Sequence, residues 1–246
     1  MTSDELNDQQ QMITLPNPIG RELFFTKDVD QDSIGTLAAA IIRIQNNDEY
    51  LEKIYSVHNL VYRPFPIRIY IDSYGGDAYA CFGLLSVIES CTTPIHTIVT
   101  GSAMSAGFLI AIHGHQRFAY PKASLMYHVV SSGAMGTIAD MEENLTEMRR
   151  LQDAIEEYTL EQTKITPAKL NEIYKSKQDW YLSADDALKF GCIDAIIGVK
   201  KSPYRQKGGA PRQSNSRARK GKLDDDGGGS SLDDTQLVLL TEAQQQ

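Results

Sequence analysis

A chain of 246 residues, 41% of them hydrophobic and 23% charged, is long enough for one full core with tails and too short for two large domains. It contains no run of 18 apolar residues, and its polar start, Thr2 to Gln11, lacks a basic-then-apolar signal pattern, so neither membrane insertion nor secretion is predicted. Three cysteines, Cys81, Cys91 and Cys192, cannot all pair and lack metal-ligand spacing, which predicts free buried thiols, no metal and a cytoplasmic location.

The net charge of −8 is unevenly placed. Residues 199–223 hold nine Lys/Arg and no acid, and residues 224–246 hold six acids and no base, so the body of the chain is more acidic than the total. The basic stretch has almost no aromatic residues to stack on bases, which argues against nucleic acid, and its composition cannot bury enough apolar surface to offset an ordering cost of about 1–2 kcal/mol per residue. Residues 199–246 are therefore read as a disordered basic-then-acidic tail, and residues 1–20, ending at Pro16 and Pro18, as a flexible N-terminal segment.

In chain order, Glu22 to Thr26 reads as a first strand, and Ser33 opens an amphipathic helix with Ile34, Leu37, Ile41 and Ile44 on one face. Residues 47–66 mix charges, tyrosines and prolines and read as a loop with a helical turn or two. Ile67 to Asp72 is then a strand, Gly75-Gly76 a turn, Ala78 to Ser90 a helix, Ile95 to Thr100 a strand, Ser105 to Ile112 a helix and Ser124 to Val130 a strand. A long amphipathic helix carries Met141, Leu145, Met148, Leu151, Ile155 and Tyr158 on one stripe. Thr166-Pro167 starts a short helix, and Ser183 with Asp186 caps another that Gly191 ends. Strands alternating with helices imply an α/β fold with a mainly parallel sheet whose ligand site lies at the strands' carboxyl ends.

Gly75-Gly76 and Ser105 both fall at that end. A serine between a buried strand and a buried helix gains the helix's positive pole and unpaired N–H groups, as a nucleophile needs, although a serine in such a turn also serves as a helix cap. Its base must be a histidine within reach. His113 and His115 lie about 12 Å or more along the helix at 1.5 Å per residue, His58 lies in the 47–66 excursion, and His96 stands at the wrong end of its strand. His128, near the carboxyl end of Leu125 to Val130, is the histidine placed for general base work, against the alternative of a core histidine. Asp179, before Trp180-Tyr181-Leu182, is a candidate to orient it, or a plain loop acid. The amides of Gly76 and Ala106 can converge as oxyanion donors, though a tight turn alone would also call for Gly75-Gly76.

Asp72-Ser-Tyr-Gly-Gly76, Gly101-Ser-Ala-Met-Ser-Ala-Gly107, Met126-Tyr-His128, Asp179-Trp-Tyr-Leu-Ser-Ala184 and Gly191-Cys-Ile-Asp194 occur in the order and spacing of the Clp protease proteolytic subunits, which the chain resembles over about residues 20–198. The resemblance implies a crotonase-like (ClpP-like) fold of repeated β-β-α units with a protruding handle helix, Ile138 to Thr163, and a peptidase domain over 21–198. It further implies a Ser-His-Asp endopeptidase with Ser105 as nucleophile, His128 as base, Asp179 as orienter, Gly76 and Ala106 as oxyanion donors, and residues near Gly133 and Gly136 holding an extended polypeptide substrate. Members of the family need no cofactor in this subunit and stack two seven-membered rings fed by an ATP-driven AAA+ unfoldase. The chain has no nucleotide-binding loop, so ATP hydrolysis is expected of a partner.

Departures from the family pattern are Tyr74 for proline, Gln178 for arginine, Arg68 at a position where a docking aromatic is common, and about a dozen extra residues before Ile67. Divergent relatives in bacteriophages and plastids carry such embellishments, which adds the plastid stroma and the infected host cytoplasm to the locations, and capsid processing to the roles. A non-catalytic ring subunit and an acyl-thioester enzyme using the two amides without a serine are the other readings of the same fold.

Overall fold

The computed structural model describes residues 20–133 and 135–198; the expectations for the segment before residue 20 and the tail from 199 fall outside them. The elements are β1 (Glu22–Phe25), α1 (Gln31–Val57), β2 (Ile67–Ser73), α2 (Ala78–Ser90), β3 (Ile95–Met104), α3 (Ala106–Ile112), β4 (Gln116–Ala119), β5 (Ser124–Tyr127), α4 (Ile138–Gln162), α5 (Pro167–Ser176), β6 (Trp180–Ser183), α6 (Ala184–Lys189) and β7 (Ala195–Ile196). They build one mainly parallel sheet in the order β1-β2-β3-β4-β7, with β5 paired to the far end of β3 and β6 antiparallel to β5. The α/β expectation with a parallel sheet is what the chain adopts.

Strand β2 alternates, with Ile67, Ile69 and Ile71 turned to the helix-covered face and Arg68 and Asp72 exposed on the other. Ile67, Ile69, Ile71 and Ile95 are fully buried, against Leu84, Leu85 and Ile88 of α2 and Phe108, Ile110 and Ile112 of α3. Burying one such side chain contributes about 1.5–3 kcal/mol, so this layer holds the carboxyl ends of β2 and β3 in place. No helix among the described residues is long and apolar enough to cross a membrane. The three cysteines are free and buried, and burial pushes the Cys81 and Cys192 thiols up to about 12.

Three local expectations differ from the structure. Helix α1 starts one turn earlier, with Asp30 as cap and Ser33 answering it in a capping box, and it runs unbroken to Val57 where a loop was expected from residue 47. Its continuation is explained by Asp48, which turns inward and accepts hydrogen bonds from Arg21, Tyr62 and Thr93. Strand β3 does not stop at Thr100. It crosses Gly101 to Met104 because the Asp72 carboxylate accepts from Ser102 N–H (2.8 Å) and Ser102 Oγ (2.6 Å), and it fills the space where a Cβ on residue 101 would lie. Strand β5 ends at Tyr127, so His128 stands just past it.

The stripe on α4 divides into two parts. Leu151 is buried, with Ile155 and Tyr158 packed on the core, whereas Ile138, Met141 and Leu145 in the first half are exposed. A capping box between Thr137 and Asp140 starts this helix.

Candidate active site

Strand β3 delivers Ser105 to the head of α3 with φ +53° and ψ −122°, a conformation that costs a non-glycine residue about 1–3 kcal/mol. Three backbone bonds hold it there. Its N–H donates to the Met126 carbonyl (2.9 Å), and its own carbonyl accepts from Phe108 N–H (2.9 Å) and Leu109 N–H (3.3 Å). Although Ser105 occupies the cap position of α3, its hydroxyl makes no capping bond. Instead Oγ lies 2.8 Å from Nε2 of His128. A serine on a strained strand-to-helix turn, with its hydroxyl turned away from the helix and toward an imidazole, can pass its proton to that ring.

Two residues with unengaged amides line the same cleft. Neither the Gly76 N–H nor the Ala106 N–H donates to any group of the described residues, and both residues line the cleft beside Ser105. Gly76 is oriented by Val29, whose N–H donates to Gly75 O (2.8 Å) and whose carbonyl accepts from Asp77 N–H (2.7 Å). At Gly75, φ +99°, an added Cβ would sit 2.6 Å from Met104 O, 2.8 Å from Ser105 Cβ and 3.0 Å from Ala106 N. The first glycine of the pair is thus the one the Ser105 turn presses against, a role that the sequence alone does not separate from that of Gly76. Gly75→Ala is expected to displace Ser105 and the Ala106 amide and to slow any reaction at the Ser105 hydroxyl by about 100-fold; an unchanged rate would show that the turn accommodates the methyl.

Three of the other histidines are engaged elsewhere, His96 against the Phe118 ring. His113 Nε2 lies 2.7 Å from Glu89, and His115 Nδ1 accepts the Ile95 N–H. Burial pushes His96 and His115 below the ordinary imidazole range. Asp179 is exposed and makes no hydrogen bond to His128 among the described residues. The β5–β6 register pairs Tyr127 with Trp180, so one further step along both strands sets residue 128 opposite residue 179.

The cleft measures about 590 Å³. Its inner wall is apolar, formed by Leu109, Met126, Met148, Leu151 and Ile155, and its rim carries Val130 to Ser132. Gly133 and Gly136 lie beyond that rim without strand pairing; Gly136, φ +150°, packs against the Asp140 carboxylate at the head of α4. Among the described residues no group of three His, Cys, Asp or Glu side chains is placed to hold a metal. Gln152 of α4 is 7% exposed, and its Oε1 accepts the Val130 N–H (2.8 Å). An amide between Leu151 and the apolar position 155 was the sequence signal for it.

The Clp protease family model matches residues 21–200. The ATP-dependent Clp protease proteolytic subunit of Deinococcus radiodurans is 31% identical over 133 residues, 53% of this chain and 64% of that protein, so the match spans just under two thirds of the relative's length. The ATP-dependent Clp protease proteolytic subunit 2 of Treponema denticola is 30% identical over 138 residues, 55% of this chain and 68% of that protein.

Proposed function

The chain belongs to the Clp protease family, and from that premise we propose that it is a serine endopeptidase whose peptidase domain spans residues 21–198 and whose nucleophile is Ser105. The observation that carries this reading is the 2.8 Å contact between Ser105 Oγ and His128 Nε2 beside two unengaged amides. Ser105 Oγ attacks the scissile carbonyl while Nε2 of His128 takes its proton. The oxyanion that forms is received by the Gly76 and Ala106 amides, which are already fixed and need no reorganisation. His128 then returns the proton to the leaving amine, and water resolves the acyl-enzyme by the same route.

Asp179 is the proposed orienter of His128. Its place opposite residue 128 supports this, since catalytic hydrogen bonds that are open without substrate tighten once it binds. The apolar wall of the cleft fits an apolar side chain before the scissile bond, with Gly133 and Gly136 as the region that holds the substrate backbone. The relatives' printed names support assembly of a proteolytic subunit beside an ATP-dependent partner. Stacked rings fed by an unfoldase and a cytoplasmic location belong to the same proposal.

A fluorophosphonate probe tests it. The assembled protein is expected to take one label per chain, on Ser105, and to cleave peptides with leucine or methionine before the scissile bond faster than those with aspartate there. An intact assembly that takes no label would favour a non-catalytic ring subunit, the reading that the open Asp179 to His128 gap also fits.

A further inference from the structure

Strand pairing stops at Tyr127, one residue before the imidazole that faces Ser105. From Val129 to Gly133 the backbone belongs to no strand, and among the described residues its one hydrogen bond to another element is the Val130 N–H to Gln152 Oε1 bond, at 2.8 Å. Gln152 lies on α4, and its Nε2 donates to Glu156 Oε1 (2.7 Å) and reaches Tyr127 Oη (3.3 Å). Tyr127 in turn is 2% exposed and packs edge-on against Phe108 of α3, the helix that begins next to Ser105. One amide side chain therefore grips the chain on both sides of His128, at Tyr127 and at Val130. It also joins that stretch to α4, the helix whose exposed first half leaves the core.

The chemistry of the side chain suits this task. An amide both accepts and donates, so it can take a backbone N–H while tying its own NH₂ to a carboxylate and a phenol. The Glu156 bond fixes which end of the amide faces Val130. A buried polar group is costly when its partners are left unsatisfied, so an apolar residue on this apolar face would be the simpler choice for packing alone.

We propose that Gln152 is a positioning residue for His128, holding the stretch from Tyr127 to Val130 so that the imidazole stays within proton-transfer distance of Ser105, and thereby coupling the seating of α4 to nucleophile activation. The inference rests on the serine peptidase reading for its catalytic consequence, but not for the clamp itself. Loss of the clamp lets His128 sample positions away from Oγ without changing the apolar wall that binds substrate.

Gln152→Met keeps the length of the side chain and removes its hydrogen bonds. The expected result in the folded assembly is a fall of about 10- to 100-fold in kcat and in the rate of fluorophosphonate labelling, with KM within about twofold. The paired swap Gln152→Glu with Glu156→Gln restores an acceptor for Val130 and an amide-to-carboxylate bond, and is expected to recover most of the labelling rate. A residue that only supports packing would not split kcat from KM, nor be rescued by a swap of polar ends.

Amide hydrogen exchange reads the clamp without catalysis. In the unsubstituted protein Val130 is expected to exchange about tenfold or more slowly than Val129 and Ser131, and Gln152→Met is expected to abolish that difference. Parental labelling by folded Gln152→Met, or Val130 exchange no slower than its neighbours', would overturn the inference. An unsubstituted assembly that takes no label overturns the peptidase reading instead, and the exchange measurement still decides whether Gln152 holds the histidine stretch.

Discussion

Ser105→Ala is expected to lower peptide cleavage by about 10⁴-fold or more and to remove fluorophosphonate labelling, while assembly and melting temperature stay as they were. The hydroxyl makes no capping bond to α3, and its one side-chain partner is the imidazole of His128, so deleting it leaves no buried donor or acceptor stranded in the core. Alanine also keeps the strained backbone at φ +53°, so the turn's cost is unchanged. Ser105→Gly separates the two roles of the residue further. Glycine adopts this conformation without penalty, so that variant is expected to be equally inactive and slightly more stable than Ser105→Ala, by about 1 kcal/mol in chemical denaturation. Turnover in either variant at the level of the parent would remove Ser105 from the chemistry and leave the acyl-thioester reading, in which the two amides act alone.

The parts of this site legible in the sequence were those whose cause is local. Ser105 could be placed because a buried strand and a buried helix bracket it, and His128 because the other histidines sit at the wrong ends of their elements. What lay beyond reach depends on partners far apart in the chain. Asn46-Asn47-Asp48 looks like a break after the apolar run of α1, and no window around it reveals that Asp48 faces Arg21, 27 residues earlier, and Thr93, 45 residues later. Gly101 looks like a turn glycine, yet it sits inside β3 because the Asp72 carboxylate occupies its side-chain space. Asp179 stands out in the sequence only by its place before Trp180-Tyr181-Leu182, and a bond from it to His128 depends on side-chain placement that strand register alone does not set. Gln152 hid within an apolar stripe whose spacing accounts for its neighbours and not for it.

The largest loss of stability is expected at Asp48. Its carboxylate is 5% exposed and accepts from both terminal nitrogens of Arg21, from Tyr62 Oη (2.7 Å) and from Thr93 Oγ1 (2.7 Å). Asp48→Ala leaves the Arg21 guanidinium, itself only 15% exposed, without its counter-charge, which costs about 3–5 kcal/mol for a buried pair. For a domain of this size that corresponds to a fall in melting temperature of about 10 °C or more, to be measured at one protein concentration because assembly also shifts it. Tyr62→Phe removes the hydroxyl that donates to Asp48 Oδ1 (2.7 Å) and accepts from Arg21 at 3.5 Å, and should cost about 1 kcal/mol.

The same cluster sets a pH dependence with two opposite limbs. Burial raises the Asp48 carboxyl, but the bonds from Arg21, Tyr62 and Thr93 outweigh it and hold the group below the usual carboxylate range. Its contribution is therefore present above the unfolded value of about 3.9 and is lost as pH falls through the folded one. Burial first, then the bond to Asp48, pushes the Tyr62 phenol up to about 12, so its contribution is complete below about 10 and is lost as pH rises toward 12. Asp48→Asn should flatten the acid limb and cost less than Asp48→Ala, since the amide oxygen still accepts a hydrogen bond even though Arg21 loses its counter-charge. An Asp48→Ala chain that melts within about 2 °C of its parent would mean that Arg21 finds another acceptor, and that the continuation of α1 past residue 47 has a cause other than this buried pair.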